Sequence, residues 1–84
     1  MRKSDLKKAI WKIREYRRKK IVEEFRKLNC TQRNAAKFLG ISEAHMSKYL
    51  SGNRNLTERK ILEFAKLFNK PAWYFFNIPK DLSL

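Results

Sequence analysis

Eighty-four residues carry 21 Lys and Arg against 8 Asp and Glu, a formal charge of +13 at neutral pH. A chain of that length makes one small domain with little room for a catalytic cleft, and 43% hydrophobic residues with 13% aromatic suffice for a core. No apolar run approaches the ~18 residues of a membrane span, no signal-peptide pattern opens the chain, and the single Cys30 cannot form an intramolecular disulfide. The expectation is a soluble intracellular protein whose charge calls for a polyanion, with nucleic acid ahead of an acidic membrane surface.

The positive charge is concentrated at the start, with net +8 over residues 1–20 and +5 over residues 21–84. Leu6, Ile10, Ile13 and Tyr16 recur at helical spacing behind Ser4, read as an N-cap with Asp5 in the first turn. Cations of this segment, among them Arg2, Lys3, Lys7, Lys8, Arg14, Arg17, Arg18, Lys19 and Lys20, give a basic amphipathic arm, set at residues 1–18, that runs into the body. Mutual repulsion within Arg17-Arg18-Lys19-Lys20 marks the expected bend or frayed point. Ile21, Val22, Phe25 and Leu28 then form a second apolar stripe that ends at Asn29.

Thr31 caps a helix running through Ala35, Ala36 and Leu39 to Gly40, a residue suited to the positive φ that ends helices. Ser42 caps the next, from Glu43 to Leu50, with Ile41 placed to staple onto Met46. Gly52 ends it and Asn53-Arg54-Asn55 make a polar loop. Thr57 is a third cap with a Leu56–Ile61 staple, after which Leu62, Phe64, Ala65 and Phe68 continue an apolar face. Pro71 suits the first turn of a short helix carrying Trp73, Tyr74, Phe75 and Phe76, which Pro79 closes. No segment alternates like a strand. The fold class is all-α, a bundle of about five short helices preceded by the basic helix, with residues 1–18 as arm, 19–78 as domain and 79–84 as tail.

Two short helices joined at a glycine turn in a basic protein suit a helix-turn-helix. Gln32, Ala36, Gly40, Ile41, Met46 and Tyr49 put a small residue where the helices touch, a glycine at the bend and three large apolar residues locking the second helix. The stretch from Gln32 to Gly52, with Asn53-Arg54-Asn55 behind it, resembles the Cro and phage-repressor family, also called XRE-like, over roughly residues 20–76. The resemblance implies a bacterial or phage regulator of about five helices, a repressor before an activator, bound as a homodimer to a palindromic double-stranded DNA operator. Two-fold related subunits would span half-sites about 34 Å apart.

By that likeness, residues 43–51 are the recognition helix, with Glu43, Ala44, Ser47, Lys48 and Ser51 toward base edges. Lys48 can donate to guanine O6 or N7, Glu43 can accept from cytosine N4, and Ala44 can meet a thymine methyl. Gln32 matches the family glutamine that holds a phosphate and braces the recognition helix, here facing Glu43. Where several relatives carry glutamine, Glu43 cannot donate to a base, so their adenine contact does not carry over. Asn53, Arg54 and Asn55 match the phosphate-gripping loop, and Ser42, Arg33 and Lys37 stand near enough to add contacts that fix register without reading sequence. Lys70 replaces a usually apolar residue, which leaves the turn before Pro71 more open.

Other features receive plainer readings. His45 lacks partners at metal spacing and is a partly exposed polar residue. Cys30 precedes a cap and packs toward the core. Trp11 and Tyr16 read as core or interface residues ahead of base-stacking platforms. The Trp73–Phe76 cluster exceeds what one small core needs, so at least one ring faces outward; Trp73 and Phe76 are the candidate dimer contacts, and closure of the bundle end is the alternative. No Ser-His-Asp or paired-carboxylate arrangement is present, so no enzyme, metal or cofactor is expected. The competing functions are an antitoxin-type interaction protein, using residues 1–18 to hold a protein partner, and a nonspecific nucleic-acid or membrane-surface binder driven by the arm. The leading reading places the protein at the nucleoid in the cytoplasm and away from membranes.

Overall fold

Local side-chain chemistry divides the chain into helices. The computed structural model describes residues 2–78 and contains α1 (Lys3–Leu28), α2 (Gln32–Leu39), α3 (Glu43–Ser51), α4 (Glu58–Phe68) and α5 (Trp73–Phe76). The hydroxyls of Thr31, Ser42 and Thr57 accept from the amides of Asn34, His45 and Lys60 at 3.1, 3.1 and 3.2 Å. Each satisfies one of the four amides a helix start leaves without a partner. The ends are closed by residues with positive φ: Gly40 and Gly52 after α2 and α3, Asn29 and Asn69 after α1 and α4. Pro79 and the tail over residues 79–84 lie outside the described residues.

Two expectations for the first thirty residues are corrected. Ser4 is not the N-cap, because the helix has already begun at Lys3 and its cap position, Arg2, makes no side-chain capping bond. The expected bend at Arg17–Lys20 is also absent, since α1 continues through it as one 26-residue helix. The repulsion is relieved from outside the run. Arg18 pairs with Glu15 at 2.7 Å, Arg17 lies over the Phe76 ring at 5.3 Å, and Lys20 lies over Tyr74 at 4.1 Å. At 1.5 Å per residue such a helix is about 39 Å long, which accounts for the 42 Å long axis of a molecule only 24 by 20 Å across.

Around the C-terminal half of α1 the other helices close a single core. Ile21 of α1, Ala35, Ala36 and Leu39 of α2, Met46 and Tyr49 of α3, Ile61, Phe64, Ala65 and Phe68 of α4, and Phe75 of α5 form one buried cluster. A run of rings passes through it, Tyr49 edge-on to Phe64, Phe64 stacked with Phe68, and Phe68 tilted on Phe75, with centroids 5.9 to 6.1 Å apart. Such pairs add about 0.5–1.5 kcal/mol beyond burial alone. Cys30, Ile41 and Leu56 pack partly buried against this core, as their positions beside the caps suggest. The N-terminal half of α1 takes no part in it: Leu6 and Ile10 are exposed, and Trp11, expected in a core or interface, is 61% exposed.

Among the described residues Glu24 is the one charged side chain in the core, 6% exposed. It accepts from the Tyr74 hydroxyl at 2.9 Å and pairs with Lys27 at 3.4 Å. Burial opposes its charge, but the Tyr74 hydrogen bond together with Lys27 and Lys70 outweighs that and holds its pKa below the ordinary carboxylate value. The same bond raises the Tyr74 pKa. Lys70 itself is exposed and lies over the Tyr74 ring at 5.1 Å, so the departure from an apolar residue places a cation on an aromatic face.

Candidate nucleic-acid interface

The α2–α3 corner is built by the backbone as much as by side chains. Gly40, at φ 69°, donates its N–H to the Lys37 carbonyl at 3.2 Å, and Ile41 donates to the Ala36 carbonyl at 3.0 Å. These two bonds form a Schellman ending. Ser42 immediately caps α3, so the chain reverses in three residues. Ala35 and Ala36 are buried, and their small side chains let α2 and α3 approach closely.

Burial then divides α3 into two faces. Met46 and Tyr49 are locked in the core, while Glu43, Ala44, Ser47, Lys48 and Ser51 are all exposed on the other side. Side chains three or four apart share a helix face, so these five lie where a partner can reach them. The Ser51 hydroxyl donates to the Lys48 carbonyl at 3.2 Å, which occupies its proton and leaves its lone pairs. Gln32, Arg33, Lys37, Ser42, Asn53, Arg54 and Asn55 are likewise exposed. The Ser42 oxygen already serves His45, and among the described residues no hydrogen bond joins Gln32 to Glu43.

The loop after α3 is fixed through one acceptor. The Lys48 carbonyl receives the Asn53 N–H at 3.0 Å and the Arg54 N–H at 3.2 Å, beside a Gly52 N–H to Tyr49 carbonyl bond at 3.4 Å. The Arg54 guanidinium lies over Tyr49 at 5.9 Å. His45 is half-buried and stacks on the Tyr49 ring, 4.8 Å between centroids, with its Nε2 enclosed and unpartnered. Its pKa is lowered by burial and then by Arg54, Lys60 and Lys48. His45 therefore stands in the positive field of Arg54, Lys60 and Lys48, which with burial disfavours its charged form.

Arg17, Arg18 and Lys20, grouped by sequence with the free cations of the arm, contact the body. The Arg18 guanidinium donates to both Glu15 oxygens, at 3.2 and 2.7 Å, and to the Leu50 carbonyl at 3.0 Å in the last turn of α3. It holds the Glu15 carboxyl below the ordinary pKa. The signal for half of this was legible in the i, i+3 spacing of Glu15 and Arg18; the bond to a carbonyl 32 residues away had no local trace. Arg2 ahead of α1 and Lys3, Lys7, Lys8, Arg14 and Lys19 along it are exposed. Trp73 is 61% exposed and Phe76 is half-buried beneath Arg17.

Among the described residues there is no group of three or more His, Cys, Asp or Glu side chains arranged to hold a metal, and no helix long and apolar enough to cross a membrane. A family model for the helix-turn-helix matches residues 21–73, beginning at the first core residue of α1 and ending at the start of α5. No curated protein and no solved structure matches the chain. With the match spanning well over half of the sequence and the capped α2–turn–α3 unit at its centre, the chain belongs to the Cro/C1-type helix-turn-helix family, the XRE family of DNA-binding transcription regulators.

Proposed function

We propose that this chain is a sequence-specific repressor that lays α3 in the major groove of double-stranded DNA. The observation that carries the reading is the division of α3: one face is immobilised by Met46 and Tyr49 in the core, and the other presents Glu43, Ala44, Ser47, Lys48 and Ser51 to solvent. Rigid placement lets a side chain discriminate one base edge from another, about 1–3 kcal/mol for a good bidentate pair. Gln32, Arg33, Lys37, Ser42, Asn53, Arg54 and Asn55 surround that face as phosphate contacts. The outward Trp73, with Phe76, is the seam of a homodimer on a palindromic operator, a regulator of bacterial or phage origin acting in the bacterial cytoplasm.

Selection of duplexes from a random pool at about 150 mM salt, where counterion release penalises nonspecific binding, tests the proposal. A two-fold symmetric motif is expected. Lys48→Ala should relax preference at one base position in each half-site. No motif, or a Lys48→Ala variant that weakens all sequences equally, overturns base reading by α3.

A second reading is favoured by one observation: Leu6, Ile10 and Trp11 are exposed on a helix that extends past the body. An antitoxin-type chain would use residues 1–18 to hold an acidic protein partner. Co-purification of such a partner, lost on Leu6→Ser with Ile10→Ser, distinguishes it.

A further inference from the structure

The N-terminal half of α1 projects past the body, and its apolar residues keep the register of the buried half. Ile10 stands eleven residues before Ile21, while Leu6 and Ile13 stand eighteen and eleven before Glu24. Those separations are close to three and five whole turns of a helix. Leu6, Ile10 and Ile13 therefore continue the face by which α1 is buried at Ile21 and Glu24. The body ends before it covers them: Leu6 is 51% and Ile10 49% exposed, and Ile13 is half-buried. Their spacing of four and then three residues is the d, a, d order of a heptad.

Charge selects what can lie there. In this register Lys7 and Arg14 take the e positions along one edge, Lys3 precedes Ile10 by one heptad, and all three are exposed. Among the described residues none of the three belongs to an ion pair. A second copy would bring the same cations against them, with net +8 over residues 1–20 of each chain, and like charges flanking a helix seam oppose pairing. A lipid surface fits no better. The stripe is a narrow seam and lacks the wide apolar face of a helix that lies in a membrane interface. Trp11, which such a helix would sink into lipid, is exposed but stands about 100° round the helix from Ile10. The stripe also turns to the side of α1 on which the body stands, where a rod can lie and a plane cannot.

We propose that the projecting half of α1 is a docking surface for one acidic amphipathic helix of another protein, packed lengthwise on Leu6, Ile10 and Ile13 with its carboxylates along Lys3, Lys7 and Arg14. Residues 3–14 span about 18 Å, so two heptads of partner cover them. The apolar seam supplies the contact, and the charged edge sets which partner is accepted and which way it lies. The surface lies ahead of the matched residues 21–73. The proposal rests on the second reading above, that residues 1–18 hold an acidic protein, and names the form and chemistry of that partner; base reading by α3 is independent of it.

The test is titration of the full chain, labelled with ¹⁵N, with a synthetic helical peptide carrying Leu at a and d and Glu at e and g, whose own like charges keep it from self-pairing at pH 7. Amide signals of residues 3–16 should shift saturably while those of α4 stay still. A peptide with Ser in place of Leu keeps the charge, and one with Lys in place of Glu keeps the apolar face; each should bind at least about tenfold more weakly. Leu6→Ser with Ile10→Ser should weaken binding of the first peptide at least about tenfold, and Lys7→Gln with Arg14→Gln at least about threefold. Lys66→Gln, which removes a charge from the exposed side of α4, should change it less than about twofold. Equal binding of the Ser and Leu peptides would reduce the surface to a patch of charge and overturn the proposal. A stronger, Leu6-dependent response to phosphatidylglycerol vesicles would overturn it in favour of a membrane. A sedimentation shift of the free chain on Leu6→Ser with Ile10→Ser would overturn it in favour of a second copy, and peptide binding seen only with Leu82→Ser and Leu84→Ser in favour of the chain's own residues 79–84. Silence of the Glu peptide beside a co-purified partner that depends on Leu6 and Ile10 overturns the acidic helix alone; silence of both overturns the second reading with it.

Discussion

The guanidinium of Arg18, halfway along α1, donates to the backbone carbonyl of Leu50 in the last turn of α3 at 3.0 Å. A helix end leaves its last four carbonyls without amide partners, and a cation there also meets the negative end of the helix dipole. Glu15 holds the guanidinium in place from the other side. The first helix thus fixes the far end of the proposed recognition helix while Ser42 fixes its start.

Arg18→Met, which keeps the aliphatic stem, is expected to lower stability by about 1 kcal/mol, since a hydrogen bond to a charged group is worth ~1.5–3 kcal/mol and solvent partly screens this one, whose side chain is 23% exposed. Glu15→Gln should lose less. Urea denaturation reads the stability. Amide exchange at Asn53 and Arg54 reads the local effect and should quicken in Arg18→Met more than exchange in α2. Equal quickening in both helices would make Arg18 a general stabiliser and not a clamp on α3.

Gly40 and Gly52 both adopt positive φ as helix ends, but in different surroundings. A Cβ on Gly40 would meet nothing within 4 Å, whereas one on Gly52 would meet Arg18 Cδ at 3.0 Å and Nε at 3.1 Å. Gly40→Asn should therefore be nearly neutral, as Asn29 and Asn69 already take this conformation in the same chain. Gly40→Ala should cost about 1 kcal/mol of left-handed strain. Gly52→Asn should cost roughly 2 kcal/mol, because it displaces Arg18 from Leu50 as well. Thermal unfolding of the three variants checks the order, and a tolerant Gly52→Asn would show that the Arg18 contact contributes little.

The readability of the sequence followed the range of the interactions. Thr31, Ser42 and Thr57 act on amides three residues away, so their caps and the boundaries of α2, α3 and α4 were evident from spacing. So was the inward face of Met46 and Tyr49. The start and continuity of α1 were not. Ser4 offered a good local cap that the longer helix overrides, and the repulsion in Arg17–Lys20 is relieved by Phe76 and Tyr74, some fifty residues on. Glu24 and Tyr74 are fifty positions apart, and nothing near either residue indicates that one will bury a charge against the other.

Acid stability should report on Glu24. Its pKa is lowered in the fold, so its contribution is fully present above the ordinary carboxylate value of 4.5 and is lost as pH falls through the lower folded value. Tyr74→Phe keeps the ring beneath Lys20 and Lys70 but removes the hydroxyl. The variant should be less stable than the parent by about 2 kcal/mol at pH 7, with the gap closing as pH falls through the lowered pKa of Glu24 and the carboxyl is protonated in both. Unfolding midpoints measured between neutral and acid pH give both curves. A gap independent of pH would assign the loss to packing and not to the carboxylate.

The two halves of α1 should respond oppositely to truncation of their apolar side chains. Ile21 is fully buried at the centre of the core, while Leu6 and Ile10 stand exposed on the projecting half. Ile21→Ala should cost about 2–5 kcal/mol through lost burial and the cavity left behind. Leu6→Ala and Ile10→Ala should each stay within about 0.5 kcal/mol, since they remove no packed surface and alanine favours the helix. The comparison also bears on what the projecting half is for. If Leu6→Ala with Ile10→Ala left an isolated chain as stable as before but shifted its sedimentation, the exposed stripe would be seated on a second copy. If it changed neither, the stripe does no work in the isolated chain, and its apolar residues would be accounted for by a partner of different chemistry.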